Sequence, residues 1–306
     1  MKKLFHIILL GLVVVSFVAC KRSGKSTDNA SQQTQNTIKD TAIIQDDPNK
    51  NIVGMINGTI YCMPSPYDMM NYIRGLKLQY VRSLPNSVLN VMHYESSYKK
   101  LLNIGVYSID ISYMTMYEQM TDALNYFSTL KSLANQVELA VVFDAATMDE
   151  LESNMGSQDS LFQILSKKFQ ESDKLLKGEN EMADASLLMT GAWVESLYLL
   201  TQIQKQAPSE LSVQKIAEHK LAAEAILNVL RPYYNKSDDF KNLIDAIVDI
   251  CYEYDGIEYT YTYKPPKAYA NNHLTIINSE SKFIIMPEHI KNITNKIEAL
   301  RNSIIQ

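Results

Sequence analysis

The sequence predicts a mainly α fold: a multi-helix bundle with a small β-hairpin or strand insertion before the C-terminal helix. Three observations carry that prediction. From about residue 67 onward, apolar residues recur at spacings of three and four over long stretches. Prolines, glycines and capping residues cut this pattern into helix-sized segments. Between Ile257 and Met286 the period switches to two.

The elements follow in order. Pro64 and Pro66 flank a first helix over about Tyr67 to Arg82, since proline is tolerated where the first-turn N–H has no helical partner. "SLPNS" breaks the chain, and periodicity resumes from Leu89 to Asn103. Gly105 marks a joint before a helix over Val106 to Met120, on which Tyr107, Asp110, Met114 and Tyr117 share a face. A further helix, Thr121 to Gln136, carries Leu124, Phe127, Leu130 and Leu133 as its stripe. A short element over Thr147 to Met155 and a helix over Ser160 to Lys177, stopped by Gly178, come next. Glu181 to Gln206 is apolar on several faces, which places it centrally. Pro208 separates it from a helix over Ser209 to Leu230, and Ser237 or Asp238 caps another over Phe240 to Glu253.

Ile257, Tyr259, Tyr261 and Tyr263 then alternate with Glu258, Thr260 and Thr262, the period of a strand. "HLTIINSESKFIIM" holds two β-rich runs around Ser279 to Ser281 and reads as a hairpin. Pro287 opens a last helix that ends near Ser303.

The N-terminus carries an address. Lys2 and Lys3 precede a nearly unbroken apolar run, Leu4 to Ala19, too short for a stable span of about 20 residues. Basic start, apolar run and small closing residue fit a secretory signal peptide. Cys20 follows at once, and "FVAC" resembles the bacterial lipobox, with Phe17 where leucine is usual. The expectation is cleavage before Cys20 and lipid on its thiol. Several acyl chains, at about 0.8 kcal/mol per buried methylene, then moor the body to a bilayer. An ordinary signal peptide or an uncleaved anchor is the alternative. Residues 20–50 are rich in Ser, Thr, Asn, Gln, Asp and Lys and read as a flexible polar tether. The organisation is thus 1–19 leader, 20–50 tether and 51–306 a single mainly helical domain, with its β insertion at about 256–286. The basic Lys21, Arg22 and Lys25 after the cysteine lean toward an outer-membrane position facing the periplasm.

Composition bounds the rest. The 306 residues carry a formal charge of −5, and loss of Lys2 and Lys3 with the leader makes it −7. A mildly acidic chain with no basic stripe points away from nucleic acid. Cys62 and Cys251 sit in apolar surroundings and are either plain buried thiols or a disulfide.

Two stretches, "LLNIGVYSIDISYMTMYEQMTDALNYFSTLKSLA" and "LLMTGAWVESLYLL", resemble segments of uncharacterised helical lipoproteins of Bacteroidetes-type bacteria. The resemblance spans about Met55 to the C-terminus. It implies a helical fold and an envelope address, and brings no catalytic residues with it.

No motif signals catalysis, so the sequence reads as a non-enzyme. His93, His219, His273 and His289 lack metal-ligand spacing, and C-x-x-C and H-E-x-x-H are absent, so no metal site is expected. No G-x-S-x-G, P-loop or dinucleotide fingerprint occurs, and no cofactor is expected. S-x-x-K occurs four times, from Ser96, Ser97, Ser128 and Ser279, without the companion motifs that would make it catalytic. Two acids stand out: Asp110 with Tyr107 and Tyr117, and Glu195 between Trp193 and Tyr198. On apolar faces they are either polar contacts in an aromatic-lined ligand pocket or hydrogen-bonding links between helices. Tyr259, Tyr261, Tyr263 and Tyr269 either form a contact surface or pack the insertion on the helices. The leading functional expectation is a membrane-anchored module that binds an envelope protein; the alternative is a small-ligand binder around Asp110 and Glu195.

Overall fold

A computed structural model describes residues 52–56, 59–63, 66–137, 145–154, 157, 160, 163–164, 179–269, 274–276 and 279–306. The expected leader and tether, Cys20 included, lie outside these residues, as does most of the helix expected over 160–177. The fold is mainly α, with small antiparallel ribbons, one of them directly before the C-terminal helix.

The helices are α1 (Pro66–Gly75), α2 (Ser97–Met116), α3 (Met120–Gln136), α4 (Ala145–Ser153), α5 (Glu179–Gln206), α6 (Glu210–Leu230), α7 (Asp238–Asp255) and α8 (Pro287–Ile305). The strands are β1 (Ile52–Ile56), β2 (Thr59–Met63), β3 (Glu258–Thr262), β4 (Lys267–Tyr269), β5 (Leu274–Ile276) and β6 (Glu280–Ile284). Single 3₁₀ turns occupy Val88–His93 and Arg231–Tyr233.

The centre of the bundle is α2 against α5. Every residue of α2 from Leu101 to Met116 is buried, its polar members Asn103, Ser108, Asp110, Ser112 and Thr115 included. The other helices wrap this pair: α3 lies on α2, α6 on α5, α7 on α6, and α8 returns between α7 and α5. Each wrapping helix buries one stripe. On α7 the stripe is Phe240, Leu243, Ile244, Ile247, Ile250 and Tyr254, and on α3 it includes Phe127, Leu130 and Leu133. The starts follow capping chemistry. Ser96, Ser209 and Ser237 each turn a side-chain oxygen onto the backbone N–H three residues on, satisfying a donor the helix leaves unpaired.

Several boundaries differ from expectation, each for a physical reason. The first helix stops at Gly75, and Lys77 takes a left-handed φ of 52° in the turn that follows. The run from Leu89 to Asn103 is not one helix: it is a 3₁₀ turn, then the Ser96 cap, then α2. Gly105 is no joint but an interior position of α2. A Cβ there would lie 2.1 Å from the Leu188 carbonyl oxygen, and one on Gly191 would lie 1.9 Å from that of Leu102. The two glycines let the backbones of α2 and α5 cross in direct contact.

β3, β5 and β6 lie where strands are expected, β4 falls in "KPPKAYANN", which reads as a loop, and the pairing differs. The runs around Ser279 do not pair with each other. β6 pairs with β3, with Tyr259 opposite Phe283, and β5 pairs with β4, with Tyr269 opposite Leu274. β1 and β2, antiparallel with Val53 opposite Cys62, were not foreseen. Cys251 is a free thiol, so the bridge to Cys62 is not formed, and burial pushes its pKa up to about 12.

Candidate functional site

The two acids chosen from sequence meet in the bundle core. Asp110 comes from the middle of α2 and Glu195 from the middle of α5, just where the glycine crossing brings these helices closest. Both are wholly buried. α8 supplies the third member, Arg301, which is 6% exposed. Its Nε donates to Glu195 Oε2 at 2.9 Å and one terminal nitrogen to Oε1 at 3.0 Å, a two-point grip that fits guanidinium to carboxylate. The same terminal nitrogen donates to the Leu84 carbonyl at 2.9 Å, and the guanidinium lies 4.3 Å from the centre of the Tyr198 ring. Burial opposes the charge on Arg301, but Glu195 outweighs it and holds the guanidinium firmly charged.

Asp110 is bound differently. Its Oδ2 accepts the Asn86 backbone N–H at 2.9 Å. Its Oδ1 is buried and, among the described residues, receives no N–H or O–H. Burial, and then the Glu195 carboxylate within hydrogen-bonding reach, push the Asp110 pKa well above the usual carboxylate range; Arg301 opposes this without reversing it.

Around the acids, side chains stitch the 84–94 segment to α2 and to the end of α8. Asn86 Nδ2 donates to Tyr94 Oη at 2.9 Å and to Asn103 Oδ1 at 3.1 Å. Asn103 donates to the Ile304 carbonyl, Tyr94 to that of Ile305, and Lys99 Nζ to that of Gln306. Tyr107 is buried with its hydroxyl on the Ser87 carbonyl at 2.9 Å.

Of the residues expected to line a ligand pocket, the structure therefore joins Asp110, Glu195 and Tyr198 around Arg301, with Tyr107 nearby, and engages them with the chain itself. Tyr117 sits elsewhere, half-buried against Tyr80 and Tyr113. Trp193, two positions from Glu195, points to another side of α5, fully buried, and its Nε1 has no partner among the described residues. Arg301 escaped the sequence reading, although it stands four residues after Ile297 on the buried stripe of α8.

A different arrangement faces solvent. Tyr259 and Tyr261 of β3 and Tyr263 just after it alternate onto one face and are 56%, 57% and 68% exposed. The face packs at its root, where Tyr259 meets the Phe283 ring at 5.3 Å between centres, and Ile257, just before the strand, is buried. Gln214 of α6 fastens β6: its amide oxygen accepts the Phe283 N–H at 2.9 Å, and its amide nitrogen donates to the Phe283 carbonyl at 2.7 Å. The side chain of Tyr269, in β4, lies outside the described residues.

An open cleft of about 380 Å³ lies between α5, α6 and α8, floored by Val213, Ile285 and Ile290 and edged by Gln204, Lys205 and Lys291. Lys205 is engaged by Glu298. Among the described residues, no group of three His, Cys, Asp or Glu is placed to hold a metal ion. No helix among them is long and apolar enough to cross a membrane.

Comparison with protein-family models, with curated proteins and with solved structures returns no match.

Proposed function

We propose that this chain is a lipid-anchored protein of the bacterial envelope whose helical body presents the tyrosine ribbon to a protein partner. The observation that carries this reading is the exposure of Tyr259, Tyr261 and Tyr263 on one face of a ribbon whose root is pinned by Gln214 and Phe283. Tyrosine supplies large amphipathic contact area while giving up only two side-chain rotations, which suits it to interface hot spots. Its rigid attachment lowers the ordering cost of docking. The leader and the "FVAC" seam supply the address, with Cys20 as the lipidated residue. A small-ligand reading comes second. It rests on the open cleft beside Lys291 rather than on Asp110 and Glu195, whose oxygens face Arg301, Asn86 and each other.

The test places a photo-crosslinking amino acid at Tyr261, in the full chain expressed with its leader, and a control at the exposed Lys241. A discrete crosslinked protein at Tyr261 and not at Lys241, lost in Tyr261→Ala/Tyr263→Ala at unchanged melting temperature, is expected. No discrete product, or the same product from both positions, refutes the ribbon as the docking face. Cys20→Ser abolishes labelling by radioactive palmitate and membrane retention; a wild-type chain that takes up no label refutes the anchor.

A further inference from the structure

We infer that the Asp110–Glu195–Arg301 cluster holds one proton between its two carboxyls, with Asp110 the neutral acid and Glu195 the anion, as a latch that alkali opens. The argument is one of counting charges and hydrogen bonds. Three helices bring two carboxyls and one guanidinium into a space where Asp110 and Glu195 have no exposed surface. With both acids ionised, the cluster carries a net charge of −1 in a dry core, a condition that proteins relieve by taking up a proton.

The hydrogen bonds decide which acid takes it. Glu195 accepts a charge-assisted bond on each oxygen from Arg301, and this favours the anion. Asp110 has one oxygen satisfied by Asn86 and one that no N–H or O–H reaches among the described residues. A proton on that free oxygen turns an orphaned acceptor into a donor. Asp110 lies within hydrogen-bonding reach of Glu195, and the cluster becomes neutral. The other titratable groups that face Asp110 are tyrosines: Tyr107 and Tyr113 of its own helix, Tyr80 and Tyr94 of the preceding segment, Tyr126 of α3 and Tyr198 of α5. All six are neutral at physiological pH, so among the described residues Arg301 is the cation acting on the pair.

The latch closes over the Leu84 carbonyl and the Asn86 N–H, the two backbone groups that Arg301 and Asp110 hold. Loss of the proton sets two anions against one cation at that point. The sign follows from proton counting. Above the ordinary carboxylate range the unfolded chain has released this proton and the folded chain keeps it, so stability falls as pH rises. One extra bound proton raises the unfolding constant about tenfold per pH unit. The window is near neutral pH, below about 7.5, where cysteine and tyrosine in the unfolded chain remain almost wholly protonated.

The experiment reads two signals on the full-length chain and its variants. Infrared spectra in D₂O at neutral pH are expected to show the carbonyl stretch of a neutral carboxylic acid, absent in Asp110→Asn. The band is also lost in Glu195→Gln, where Asp110 becomes the only carboxyl beside Arg301 and ionises. Denaturant titrations are expected to give the tenfold slope in wild type and a flat profile in Asp110→Asn. A wild-type spectrum with no neutral-acid band overturns the inference without recourse to any variant. A band that survives Glu195→Gln overturns the shared proton and leaves burial alone as the cause. Equal pH slopes in wild type and Asp110→Asn remove the latch.

Discussion

Replacing Gly191 by alanine tests the central crossing of the bundle. Two effects oppose each other. Alanine is the better helix former by about 1 kcal/mol. Against this, the new Cβ would stand 1.9 Å from the Leu102 carbonyl oxygen, 2.7 Å from its carbon and 3.0 Å from its Cα. All three are backbone atoms, so no side chain can swing aside. A tolerable carbon–oxygen contact is about 3.3 Å, so α2 and α5 must part by roughly 1.4 Å along this line. A gap of even 0.5–1 Å forfeits about a quarter to a half of each dispersion contact it opens, and overpacking costs about 1–3 kcal/mol, sometimes more. This crossing also seats Asp110 beside Glu195, so the penalty falls at the upper end. The net expectation is a loss of about 2 kcal/mol, or about 4–8 °C in melting temperature for a body of this size. Urea denaturation followed by circular dichroism measures it. Gly75→Ala is the control: a Cβ there has nothing within 4 Å, and the change stays within about 0.5 kcal/mol or stabilises slightly. A Gly191→Ala protein as stable as wild type refutes the close backbone approach.

Two further outcomes are expected. His219 of α6 is wholly buried, and burial, with a lesser contribution from Lys215, pushes its pKa down to about 3. Its neutral form therefore contributes stability that is complete above about pH 6.5 and is lost as pH falls toward 3, by at most about 1.4 kcal/mol per pH unit. His219→Leu should flatten the acid limb of the stability profile; an unchanged limb assigns acid unfolding to other groups. Gln214→Ala removes both bonds to the Phe283 backbone, about 1 kcal/mol each. Amide exchange at Phe283 should accelerate with little change in the exchange of α2, and equal protection in both proteins shows that the ribbon does not depend on Gln214.

Much of the fold was legible because the helices obey local rules. Ser209 and Ser237 are capping residues at the positions where α6 and α7 begin, and the stripe on α7 has the spacing of one helical face. What escaped depends on contacts distant in sequence. Gly105 reads locally as a break; only the arrival of α5 shows that its missing side chain makes room for another backbone. The β3–β6 pairing skips the β4–β5 pair between them, a choice that periodicity cannot make. Between β1 and β2 the sequence holds Asn57 and Gly58, a dipeptide that favours tight hairpin turns. Asp110 and Glu195 were visible as acids on apolar helices, and the question was what they face. The answer lay in Arg301, 106 positions beyond Glu195, in a helix that otherwise reads as ordinary and amphipathic.

The placement of α8 has a consequence for the order in which the molecule assembles. It is made after α2 and α5, yet it brings the cation for a carboxylate sealed between them. Its bonds bridge great lengths of chain: 217 positions from Arg301 to Leu84 and 201 from Asn103 to Ile304. Such loops close late, because the chain entropy they cost is recovered only when the final contacts form. Until α8 docks, Glu195 lacks the charge-assisted bonds of Arg301, so α2 and α5 meet around an uncompensated carboxylate. The packing of α2 on α5 is thus completed only when α8 arrives and supplies the charge between them.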